Sequence, residues 1–203
     1  GPGYTCFGGP GELADGVDWL GSWAPGGRPA DLPEGTGIRV QPGSVIAMQV
    51  HYNAQGSEPV VDRTSMRFKV DDHVERPSLW LPWTNPFWVR NQVPMSIPAG
   101  ARGVAHQFEY DPTTVGRPFG DQAFDVHLAG VHMHLLGRTI RLSIQRANGG
   151  ETCLEDVHDW DFNWQGGVRL KEPVRFEPGD RVRVECTWDN VPERQPVVDG
   201  VRQ

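Results

Sequence analysis

His132 and His134 stand one residue apart in the apolar run AGVHMHLLGR, Ala129–Arg138. Imidazole nitrogen is a preferred donor to Zn and Cu, at about 2 Å. On an extended strand, residues i and i+2 project from one face with Cα atoms about 7 Å apart. Two rings at that spacing can converge on one ion, whereas adjacent residues would point to opposite faces. If the strand is regular, Phe124, Val126, Leu128, Gly130, His132, His134 and Leu136 share a face. His127 and Met133 then point the other way. A bare H-x-H pair is a weak signal, because most such pairs are solvated or hydrogen-bonded. The apolar setting strengthens it, since buried imidazoles without partners are costly. A cupin-type site would carry a Glu where this chain has Arg138, so that reading is excluded.

His51, in SVIAMQVHYN, is a second candidate. Alternation puts Ile46, Met48, Val50 and Tyr52 on one face and His51 on the other, where it can address a cleft. His73, His106 and His158 sit in turn-rich or strand-edge contexts that suit surface roles. In DWDFNWQG, Trp160, Phe162 and Trp164 alternate with Asp159, Asp161 and Asn163, the pattern of a strand packing an aromatic face. With 8 tryptophans in the chain, a glycan-binding module is the alternative. The glycine-rich PEGTG and PGGRP stretches lack the Gly-Lys-Ser/Thr ending of a phosphate loop.

Short strands must position these residues. SMRFKV alternates with Met66, Phe68 and Val70 inward. VPMSIPAGARGVAHQFEYD turns at Pro98-Ala99-Gly100. QAFDVHLAGVHMHLLGR reads as one long strand, and TIRLSIQR as the next. PVRFEPGDRVRVECTWDN reads as a hairpin through Pro178-Gly179-Asp180, with Val182, Val184, Cys186 and Trp188 inward. Residues 71–93 break the alternation with prolines and aromatics and read as a packed crossover between two domains. No segment holds a helical period for long. The expected class is all-β, with antiparallel sandwiches or jelly rolls.

The 25 glycines and 18 prolines among 203 residues fit a turn-rich chain of this kind. The net charge of −7, with no basic stripe, argues against nucleic acid. No apolar run is long enough to span a membrane. Cys6, Cys153 and Cys186 are an odd number without a C-x-x-C pair, which fits free thiols or a secreted protein with a bonding partner elsewhere.

The ordered motifs GPGYTCFGG, GSWAPGG, QVHYN, IPAGARGVAHQFEYD, VHMHLLGR and DWDFNWQG resemble the copper type II, ascorbate-dependent monooxygenases, especially bacterial members. Better-known members are peptidylglycine α-hydroxylating and dopamine β-monooxygenase. The resemblance covers nearly the whole chain. It implies two jelly-roll β-sandwiches, each carrying one copper across a solvent-filled cleft. Residues 1–75 would be the C-terminal part of the electron-transfer sandwich, and 76–203 the oxygen-activating sandwich without its last strands. It implies that His132 and His134 hold the O₂-binding copper and that His51 is one of three histidines on the electron-transfer copper. It further implies a small organic substrate, ascorbate or a similar reductant, and an extracytoplasmic location.

Three of the six ligands expected from the resemblance are present. The His-His pair upstream of GYTCFGG and the methionine of a DEMC-like segment beyond TWDN are not in this sequence. The cysteine of that segment, the partner the resemblance implies for Cys186, is also missing. The expectation is a piece of a longer protein, the alternative a member that has lost activity. Where peptide-hydroxylating relatives carry a carboxylate-gripping arginine, this chain has Gly130, which cannot form a bidentate clamp.

Overall fold

In a computed structural model, residues 18–27, 31–52, 59, 61–89, 92–115, 120–195, 197–198 and 200–202 are described. Cys6 and the GPGYTCFGG motif lie outside the described residues. The chain forms two compact units, one built on Asp31–Leu81 and the other on Pro82–Gln203 together with the segment that begins at Ser22.

In the first unit, β1 (Thr36–Gly37) pairs in parallel with β2 (Arg76–Pro77). Gly37 is required at this pairing, because a Cβ there would meet Val74 Cγ1 at 2.7 Å. The strands expected at 44–53 and 65–70 carry no ladder among the described residues. Their alternation is real, but alternation makes a strand only when a partner satisfies the backbone N–H and C=O groups. Val45, Ile46, Met48, Met66 and Phe68 are accordingly exposed.

The second unit is nearly all strand. Its elements are a four-residue helix α1 (Pro86–Val89), β3 (Val104–Tyr110), β4 (Phe124–Ala129), β5 (Gly137–Gln145), β6 (Glu151–Val157), β7 (Val168–Phe176) and β8 (Arg181–Trp188). Two short strands, β9 (Val197–Val198) and β10 (Val201–Arg202), pair with each other. One antiparallel sheet has the order β3-β8-β5-β6, and a second pairs β4 with β7. Residues of both sheets share one core, in which Ala129 and Phe176 from the smaller sheet meet Ile144, Leu154 and Val182 from the larger. This is a β-sandwich. Phe176 and Ile144 are fully buried, and each burial contributes about 1.5–3 kcal/mol. A second cluster of Met133, Ile140, Trp160, Cys186 and Trp188 lies under the histidine pair.

Several sequence expectations hold here. Val182, Cys186 and Trp188 are buried, Arg181 is exposed, and Gly100 turns the chain at a φ of +79°. Three others are corrected. The 178–180 turn does not close a hairpin, because β7 and β8 belong to different sheets and the turn is a corner between them. Asp180 builds that corner, accepting hydrogen bonds from Ala147 N–H (2.9 Å), the Arg146 guanidinium (2.7 Å) and Glu177 N–H (3.2 Å).

The second correction concerns the long strand from residue 122, which ends at Ala129 after a bulge between Val126 and Leu128. A bulge inserts one residue and flips the facing of everything beyond it. Phe124 and Val126 therefore face the core together with Ala129, while His132 and His134 face outward and do not share their side. Thirdly, DWDFNWQG is a loop and not a strand. Asp161 accepts from Asn163 N–H at 2.8 Å, and Trp164 N–H reaches back to Asp161 O at 3.0 Å, closing a turn in mid-motif. Trp160 is buried while Trp164 is 68% exposed, so the aromatic residues share no face.

Candidate metal centre

His132 and His134 lie on the connection between β4 and β5, which carries no strand ladder. Met133 orients them, because its side chain is 4% exposed and sits in the second core cluster while both neighbours are exposed. Local alternation thus survives without a strand. Past the pair the chain must tighten: Gly137 N–H bonds His134 O at 3.0 Å. A Cβ at Gly137 would meet Met133 Cε at 2.8 Å and Trp160 Cδ1 at 3.0 Å, so only glycine lets β5 begin there.

The two imidazoles have centroids 5.1 Å apart and planes at 83°. Rings sharing one ion, each with its centroid about 3 Å from the metal, lie no more than about 6 Å apart. The pair meets that requirement. Two neighbouring imidazoles also suit copper in both oxidation states. Among the described residues no group of three or more His, Cys, Asp or Glu forms a fuller cage, so the donor set fits copper at two positions.

The loop from Asp159 to Gly167 walls the pair. Trp160 stands edge-on to His132 at 6.4 Å and 88°, and Phe162 edge-on to His134 at 6.2 Å and 86°. Gln165 Oε1 lies 2.5 Å from His132 Nδ1, while Gln165 Nε2 donates to Phe162 O at 2.6 Å. The backbone N–H of Gln165 is held by Pro25 O at 2.8 Å. Gly26, at a φ of +79°, permits that approach, since a Cβ there would come within 2.9 Å of Trp164 Cα.

Behind the loop is a cavity of about 260 Å³ lined by Val131, Glu155, Val157, Trp160, Trp164 and Val168, among others. Burial pushes the Glu155 carboxyl up to about 7. Its Oε2 and the Trp160 Nε1 are buried without a hydrogen-bond partner.

The other candidates fall elsewhere. His51 is an exposed residue of the first unit, outside any strand. His106 lies on β3, donates from Nε2 to Ser96 O (3.0 Å), and packs between Trp88 and Trp188, a structural role. His73 and His158 are exposed. Cys153 and Cys186 are free thiols. Burial raises the Cys186 thiol to about 12, which keeps it protonated and inert at neutral pH. Sequence reasoning missed Gln165, whose pairing spans 33 residues and leaves no periodic trace.

The family described as copper type II ascorbate-dependent monooxygenase, C-terminal domain, matches residues 91–203. The chain is 28% identical over 180 residues, 82% of its length, to DBH-like monooxygenase protein 1 of Gallus gallus. It is 28% identical over 182 residues, 83% of its length, to the protein of the same name from Homo sapiens. It is 27% identical over 191 residues, 85% of its length, to DBH-like monooxygenase protein 2 of Mus musculus. Each alignment takes in 28% of the relative, so the chain spans less than a third of the length of the curated relatives it matches.

Proposed function

Because the chain belongs to the copper type II ascorbate-dependent monooxygenase family, we propose that it serves a monooxygenase that hydroxylates a C–H bond of a small organic substrate, using O₂ and an external reductant such as ascorbate. The observation that carries this reading is the adjacent, outward-facing His132–His134 pair within residues that match the C-terminal domain of the family. His132 and His134 would hold the oxygen-activating copper, and His51 would give one imidazole to the electron-supplying copper. When bound, copper would supply one-electron redox chemistry at His132 and His134, with the external reductant as the source of the two electrons that, with two protons, monooxygenation by O₂ consumes.

The chain's own residues prepare that chemistry. Met133, anchored in the core, keeps both rings facing out. Trp160 and Phe162 each pack in a T-shaped arrangement with one of the two rings. Gly130 offers no guanidinium to a substrate carboxylate, which argues against peptides gripped by a terminal carboxylate. Residues 76–203 serve as the oxygen-activating sandwich and 1–75 as part of the electron-transfer one, in an extracytoplasmic protein. No helix among the described residues is long and apolar enough to cross a membrane.

Oxygen uptake by the copper-loaded protein with ascorbate tests the reading. Uptake above background that disappears in the His132→Ala/His134→Ala variant is expected. Background uptake with copper bound at the pair would leave a non-catalytic copper-binding module.

A further inference from the structure

We propose that Gln165 is a positioning residue that locks His132 in one tautomer, with the proton on Nδ1 and the Nε2 lone pair presented outward. The inference follows from donor and acceptor types alone. The carbonyl of Phe162 can only accept, so the Gln165 group 2.6 Å from it must be the NH₂. The amide is thereby oriented, and its oxygen is the atom 2.5 Å from His132 Nδ1. An amide oxygen has no proton to give, so Nδ1 must carry one. In a neutral ring the lone pair is then on Nε2, the nitrogen available to a metal.

The lock is itself braced. Gln165 N–H bonds Pro25 O at 2.8 Å, so backbone and side chain are held at separate points. Trp160 packs against the His132 ring, with centroids 6.4 Å apart and planes at 88°. Metal-binding histidines generally need such an outer partner, and losing it typically costs 10–100-fold in metal affinity. The consequence for copper rests on the reading of His132 as a ligand; the tautomer does not.

The experiment is two-part, on the metal-free chain labelled with ¹⁵N-histidine and on the same chain titrated with Cu(I). Long-range ¹H–¹⁵N correlation at pH 8, above the ordinary imidazole range, reads the protonated nitrogen of each ring. In the wild type, His132 should report a protonated Nδ1 and a bare Nε2. Gln165→Ala should lose that preference. Amide spectra of the β-sandwich serve as the folding control. Competitive titration with a chromophoric chelator should show Cu(I) affinity about 10–100-fold lower in Gln165→Ala. A wild-type His132 protonated on Nε2, or an unchanged tautomer in Gln165→Ala, overturns the lock. A lost tautomer with unchanged Cu(I) affinity preserves the lock and overturns its proposed contribution to copper affinity.

Discussion

Met133 decides where its neighbours point, since one buried thioether between two exposed imidazoles leaves them a common side. That much was legible in the sequence, because an apolar residue between two polar ones in an extended run predicts the alternation. Illegible were the residues that touch the rings, Trp160, Phe162 and Gln165, which arrive from a distant loop. The burial of Glu155 beside the cavity is equally illegible in the sequence. Its ordinary value is 4.5 and burial raises it to about 7, so the folded state holds a proton that the unfolded state has released between those values. Stability from this group is therefore full below about pH 4.5 and falls as pH rises toward 7. Glu155→Gln should flatten that dependence and raise stability at pH 8 by on the order of 2 kcal/mol, allowing for partial exposure. Urea titrations at pH 5 and pH 8 check it; a variant as pH-dependent as the wild type contradicts it. Asp180 is the opposite case: burial alone would raise it, but the hydrogen bonds from Ala147, Arg146 and Glu177 outweigh that and hold it below its ordinary value. Asp180→Ala leaves the Arg146 charge without its buried partner and should cost about 3 kcal/mol by denaturant titration.

At the scale of elements, the sequence located the segments of β3, β5 and β8, and alternation gave the inward face of β8, because those strands sit inside a ladder. It failed where a ladder ends or breaks. The bulge in β4 reverses facing after Val126, and no residue type in FDVHLA announces it. The turn inside DWDFNWQG was written in Asp161 and Asn163, both turn formers, but the alternating aromatics masked it. The β7–β8 corner resembles a hairpin in sequence because Pro-Gly-Asp suits both; only the pairing partners distinguish them. The tight start of β5 yields a prediction of its own. Gly137→Ala forces a methyl against Met133 and Trp160, the two side chains beneath the histidines. It should destabilise the sandwich by about 1–3 kcal/mol. It should also weaken Cu(I) binding, although residue 137 donates nothing to a metal. Thermal melts and chelator competition measure the two effects, and a stability unchanged from wild type would show that the core yields more easily than the distances imply.

The whole molecule joins a sandwich that presents a histidine pair to membership in the copper type II ascorbate-dependent monooxygenase family. The all-β class could be read in advance, as could the common side of the two histidines, and the chain divides into two compact units. The proposed second copper site, to which only His51 is assigned, was reachable through resemblance alone. The claim on which the rest depends is that His132 and His134 bind one copper ion together. Competitive Cu(I) titration of the wild type against His132→Ala, His134→Ala and the double variant tests it most directly. Each single variant should lose the same copper equivalent, with the double variant no weaker than either. Three variants that match the wild type in stoichiometry and affinity would contradict it.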